Sequence, residues 1–371
     1  MARNRVIYQS EALYVSKNAG STAANEHEQL TRVQSANYNF SINRQDVNEF
    51  GQLARIDSIV MDAPTVGVDL TYYPTDGFNE SALGFSTGSS VQFASGHLIP
   101  DSGRNIYITT VAEGSDAAGT DGDGLKSVIG LGNAFLTDYT LDLSVGSLPT
   151  VSVALECSNI NSTADATLSG SGTNYSGIAL PSVNITNGSV VTGNALLPQT
   201  VQSGESSITA LRPGDVTIEI GALDNFAISD ISGGIETIHV QSASLSVPLS
   251  RSPIQRLGTR FAYARTVDFP VNATLSVNAI VNDVTAQNLS AIIDDASFND
   301  ITLTLKDTND AAKMTYTLRG CKLDSESFSS SIGSNKSVDL TFSTQIGGNN
   351  DTGNGVFLAA NGADSVAFAG S

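Results

Sequence analysis

The chain has no tryptophan, two cysteines and three histidines among 371 residues, and only 15% of its residues are charged. Each scarcity removes a class of explanation. Cys157 and Cys321 give neither metal-ligand spacing nor a disulfide-rich framework, so packing has to supply the stability. His27, His97 and His239 leave few candidates for histidine-dependent chemistry. Basic residues are scarce too: 18 Lys plus Arg stand against 37 Asp plus Glu, a formal net charge of −19. Such a surface repels nucleic acid at long range, because binding it means neutralising phosphates with basic side chains. No apolar run approaches the length that spans a bilayer. None follows the basic residues Arg3 and Arg5 as a signal peptide requires, so the expected setting is the cytoplasm, with no membrane partner.

What remains is 40% apolar, with a polar part dominated by Ser, Thr, Asn and Gly. That mixture suits strands joined by many turns and predicts an all-β chain with minor helix. The length suits two domains, and the sequence repeats itself accordingly. Val33–Gly51 lies over Val240–Gly258 without a gap, with six of 19 positions identical, against about one expected by chance. The pairs Tyr38/Leu245, Phe40/Val247 and Ile42/Leu249 recur every second residue, the strand period. Each copy then passes an Arg (Arg44, Arg251) and reaches a Gly seven residues later.

The correspondence continues through Val66, Val68 and Leu70 against Ala273, Leu275 and Val277. Asn79–Leu83 against Asn288–Ile292 predicts one short helix per copy. Leu141-Asp142 aligns with Leu323-Asp324, and Thr150–Leu155 with Ser337–Phe342. The first copy therefore holds an insertion of about 20 to 25 residues, placed at the Gly/Asp-rich run 113–124. The expected organisation is a first β domain over 1–157, a Ser/Thr/Gly/Asn-rich linker or arm over 158–205, a second β domain over 206–345 and a C-terminal arm over 346–371.

No catalytic signature emerges. Gly84-Phe-Ser86-Thr-Gly88 fits a nucleophile elbow, but a strand-like Val91-Gln-Phe93 follows where a helix is required. Asp116, Asp121 and Asp123 depart from the EF-hand spacing. Neither a dinucleotide fingerprint nor a phosphate-binding Gly-Lys-Ser/Thr loop occurs. The expectation is a non-enzyme without cofactor or metal. Charge offers a different kind of site. Arg251, Arg256, Arg260 and Arg265 form a basic run, whereas its counterpart in the first copy carries Asp46, Glu49, Asp57 and Asp62 beside Arg44 and Arg55. Either each is a solvated face, or the basic segment of one copy meets the acidic segment of the other across an interface.

Three strings carry a family likeness: Asn133–Glu156, Ser250–Gly258 and Asn4–Gln9. Together they resemble the major tail tube proteins of long-tailed bacteriophages, over about half the chain. The resemblance implies β-sandwich or partly closed barrel domains with a flanking helix. Their sheets would join side by side in a ring, and rings would stack into a virion tail tube, assembled in the host cytoplasm beside other tail proteins, through which DNA passes without specific binding. Two domains per chain imply a trimer with pseudo-sixfold symmetry, or a hexamer in a larger assembly. A conduit for DNA needs a lumen poor in cations. Asp69 and Thr71 in the first copy, and Asn272, Thr274 and Ser276 in the second, alternate with the apolar strand positions and are the candidate lumen face. The alternatives are an extracellular adhesin or carbohydrate-binding β-sandwich, or a capsid-decorating virion protein.

Overall fold

The computed structural model describes residues 11–98, 103–111, 117, 127–164, 166–168, 174–184, 186–198, 211, 216–220, 239–258, 261–262, 264–280, 299–329, 335–348 and 350–360. Among these the chain is all-β with one short α-helix. The first half supplies β1 (Glu11–Ser16), β2 (His27–Gln29), β3 (Val33–Ser41), β4 (Arg44–Val47), β5 (Asp57–Val60), β6 (Thr65–Tyr72), α1 (Phe78–Leu83), β7 (Arg104–Thr110), β8 (Ser127–Ser144) and β9 (Thr150–Cys157). Four shorter strands follow: β10 (Asn159–Ala164), β11 (Thr167–Leu168), β12 (Asn174–Ala179) and β13 (Asn194–Pro198). The second half contributes β14 (Val216–Ile220), β15 (His239–Pro248), β16 (Arg251–Ile254), β17 (Ala264–Val267), β18 (Asn272–Ile280), β19 (Asn299–Lys306), β20 (Ala312–Ser329), β21 (Ser337–Gln345) and β22 (Gly355–Ala360).

The repeat is visible in the strand pairing. β3, β6, β9 and β8 are neighbours in that order, and so are β15, β18, β21 and β20. Both β3–β6 and β15–β18 carry a bulge, between Val33/Ser35 and Val240/Ser242, at positions 207 residues apart. The hairpins β4–β5 and β16–β17 share one register at the same offset: Arg44 faces Val60 as Arg251 faces Val267. Their tips turn at Gly51 and Gly258, whose φ angles of 92° and 90° suit glycine.

The last strands correct the sequence alignment. β8–β9 is bulged between Leu136/Asp138 and β20–β21 between Leu323/Ser325, which fixes the offset at 187. Leu141 therefore corresponds to Phe328, and Leu323 to Leu136. The left-handed residues Asn133 (φ 51°) and Gly320 (φ 66°) coincide at this offset too. Each marks the place where an 18-residue strand leaves one sheet and enters another. The net insertion in the first copy is thus 20 residues at this point of the alignment, and its expected location at 113–124 lies, apart from Ala117, outside the described residues.

The two four-stranded units join edge to edge through β8 and β15, with Leu141 opposite Leu245 and Tyr139 opposite Val247. One face of the resulting eight-stranded sheet is apolar and buried against two smaller layers, built on β1, β2, β7, β10 and the first half of β8, and on β14, β19, β22 and the first half of β20. A single core, including Val68, Leu70, Leu141, Leu245, Leu275, Phe342 and Leu358, runs through both copies. α1 occupies the place expected at Asn79–Leu83; its counterpart at 288–292 lies outside the described residues.

Two expected arms are partly sheet. Within 158–205, Tyr175, Ile178, Ala195 and Leu197 build a second core against Tyr14, Tyr107 and Val128 of the first copy. Within 346–371, Val356, Phe357 and Leu358 are buried on β22, which pairs with β20 of its own chain. Their apolar residues cover layer edges of the same chain. Residues 361–371 lie outside the described set.

Candidate self-assembly interface

The outer face of the eight-stranded sheet is small and hydrophilic. One ladder crosses all eight strands as Ser35, Thr71, Ser152, Thr140, Ser246, Thr274, Ser343 and Lys322. The candidate lumen residues lie on this face: Asp69, Asn272 and Ser276 are exposed, Thr71 and Thr274 half-buried. Asp138, Asp142 and Asp339 join them, held by hydroxyl or amide donors from Thr140 (3.1 Å), Ser244 (2.6 Å) and Asn278 (2.6 Å). Strand alternation suffices to place them there, since every buried apolar residue leaves its neighbours on the opposite face.

The sheet has two open edges. Among the described residues, β3 pairs only with β6, and the 322–329 half of β20 only with β21. Both edges present core-face side chains to solvent: Tyr38 is 41% and Phe40 60% exposed on β3, and Phe328 is 47% exposed on β20. Their counterparts Leu245, Val247 and Leu141 are all at 0%. The sequence is equally apolar in both copies on β3 and β15; only the presence of a neighbouring strand differs.

The second-copy hairpin is docked on the first copy. Arg251 donates from Nε to the Leu136 carbonyl (3.1 Å) and from Nη2 to the His97 carbonyl (2.6 Å), with its guanidinium over the Phe135 ring. Arg265 forms an ion pair with Glu156 while almost wholly buried. Burial, and secondarily Arg265, lowers the Arg251 pKa to about 10, which leaves the side chain charged at neutral pH. His97, buried beside Arg104 and Arg251, is held well below the ordinary histidine range, mainly by burial, and stays neutral there. Arg256 is exposed and donates to the Thr186 carbonyl; Arg260 lies outside the described residues.

The first-copy hairpin stands in solvent. Arg44, Asp46, Glu49 and Asp57 are exposed or nearly so, Asp46 pairs with Arg55 at 2.9 Å, and Asp62 accepts from Asn43 at 3.0 Å. Phe50 and Leu53 at its tip are fully exposed. Within one chain, then, the basic hairpin rests on Glu156 and backbone carbonyls of the first copy, and the acidic hairpin is placed elsewhere. Sequence reasoning singled out Arg251 and Arg265 but missed Glu156, Leu136 and Phe135, because the pairing spans more than a hundred residues and leaves no local pattern.

A buried polar cluster ties the copies together beneath the junction. Glu80 of α1 accepts from Tyr72 (2.9 Å) and Tyr139 (3.3 Å), and Tyr139 shares a 2.6 Å hydrogen bond with Tyr316 of the second copy. Burial raises the Glu80 pKa to about 7 against the lowering effect of its hydrogen bonds. Cys157 and Cys321 are free and buried, and burial pushes both thiols up to about 12. Ser86 of the elbow-like string lies in a loop, its amide bonded to the Phe93 carbonyl. Among the described residues no cluster of His, Cys, Asp and Glu is suited to a metal ion, and no helix is long and apolar enough to cross a membrane.

No protein-family model matches the chain, and no curated protein does. Among solved structures, the chain is similar to one from the cryo-EM structure of the anti-feeding prophage (AFP) baseplate, 6-fold symmetrised, with 13% identity and a TM-score of 0.26 over 40% of this chain and 93% of that one. A likeness that weak carries no argument about this chain, whose functional reading rests on its own geometry.

Proposed function

We propose that the protein is a structural virion component that assembles with copies of itself into rings, stacked as the tube of a phage tail, with an acidic bore through which DNA passes. The supporting observation is the pairing of two like units edge to edge while, among the described residues, β3 and the 322–329 half of β20 each keep one open edge. The join is heterologous: the trailing strand of one copy meets the leading strand of the next. Such a contact, repeated, closes into a ring or grows into a filament. An exposed edge with apolar side chains is an aggregation hazard in a monomer and an asset in an assembly. Three chains, each giving two units, would complete a six-position ring. The hydroxyl-rich face with Asp69, Asp138, Asp142 and Asp339 suits a bore that must not retain phosphates.

Gel filtration with light scattering, followed by negative-stain imaging of the purified chain, tests the reading. Rings or tubes are the expected outcome. A persistent monomer at tens of micromolar, or one that binds glycans, would favour the adhesin alternative instead.

A further inference from the structure

From the junction inside the chain we infer the junction between chains, and with it an ion pair of reversed polarity that makes each edge recognise only the correct partner. The inference rests on the proposed self-assembly, and its occupant is a second copy of this chain.

The internal join serves as a template. β8 maps onto β20 at an offset of 187 and β15 onto β3 at 207. The pairs Leu141–Leu245, Tyr139–Val247, Thr140–Ser246 and Asp138–Pro248 therefore become Phe328–Tyr38, Glu326–Phe40, Ser327–Asn39 and Ser325–Ser41 between chains. The first of these buries two aromatic rings that a single chain leaves exposed, and every outward-facing pair stays small and hydrophilic.

The docked hairpin translates in the same way. Arg265 and its cross-strand neighbour Pro253 map onto Ser58 and Asp46; Glu156 and its neighbour Phe135 map onto Ser343 and Lys322. Where the internal join has a cation on the hairpin and a carboxylate on the sheet, the external one has neither at those two positions. Each charge has moved one strand over and changed sign: Asp46 on the hairpin meets Lys322 on the sheet. Adjacent strands lie about 5 Å apart, within reach of a lysine side chain. Arg44, in the place of Arg251, falls over Lys322, which holds the place of Phe135; Asp46, paired with Arg55 inside the chain, and Asp324, in the place of Thr137, are the carboxylates beside these three cations. A wrong join, with the basic second-copy hairpin on the second-copy sheet of another chain, sets Arg251 over Lys322 with Arg265 beside it and no carboxylate on the hairpin, and is disfavoured by like charge.

The test is a charge exchange in the full-length chain. Lys322→Glu and Asp46→Lys should each keep the wild-type melting curve, because both sites are exposed in the monomer, yet raise the concentration needed for assembly tenfold or more. The double variant D46K/K322E should restore it. Rings from wild type together with unimpaired single variants would overturn the inference and leave the proposed function intact. Impaired singles without rescue in the double variant would likewise overturn the pairing. A wild-type chain that never assembles would overturn both.

Discussion

β15 and β3 are the same strand twice, bulged at the same position, followed by the same hairpin and paired in the same register with the next strand. Leu245 and Val247 on β15 are sealed beneath the junction, whereas Tyr38 and Phe40 on β3 face solvent. The hairpins differ likewise, one held by buried Arg251 and Arg265, the other standing free in the single chain with exposed Phe50 and Leu53. Burial here is a property of position in a row. An apolar pattern on a strand is sealed only where a neighbouring strand covers it.

The contrast breaks most sharply by truncating equivalent residues. Leu245→Ala should cost about 3 kcal/mol of stability, the usual range for emptying a packed core site. Tyr38→Ala should cost less than about 1 kcal/mol in the monomer, because the side chain is half in water already. Urea denaturation of the two variants measures both, and equal losses would mean that the edges are not as different as they look.

Glu80 gives the inner junction a pH signature. The native state holds a proton on Glu80 up to about pH 7, while the unfolded chain releases it near pH 4.5. The native form therefore binds more protons across that window, and stability falls as pH rises through it. The full loss is roughly 3 kcal/mol. Glu80→Gln should remove this slope, the wild-type and variant curves running parallel below about pH 4.5 and above about pH 7. Thermal melts across that range provide the check.

Arg265→Leu leaves Glu156 without its cation in a partly buried site, at an expected cost of about 2 kcal/mol. Ser58→Ala, its counterpart on the free hairpin, should change monomer stability by less than about 0.5 kcal/mol. Tyr38→Cys and Phe328→Cys act on assembly more than on stability. Together they should leave folding nearly unchanged and yield disulfide-linked multimers on oxidation, with no linked species from either cysteine alone.

The sequence made the repeat, the all-β class, α1 and the alternation on β3, β6, β15 and β18 legible, because each depends on neighbours along the chain. The register of β20 escaped it. Ser325-Glu326-Ser327-Phe328-Ser329 lies at an open edge where no core demands alternating apolar residues, so the nearest Leu-Asp match drew the alignment five residues off. The strands β10 to β13 were hidden by sparse apolar positions, which cover a single layer edge. Arg251 and Arg265 stood out by charge, but their first-copy acceptors come from chain more than a hundred residues away, two of them backbone carbonyls that carry no signal at all.

Covalent fusion of the two units also changes how assembly depends on concentration. The β8–β15 join forms within one molecule, at the high effective concentration that a tether provides. The proposed ring of six units would then need two encounters in solution before it closes, where unlinked units would need five. On that reading nucleation would scale with a lower power of concentration, and rings would form from more dilute protein.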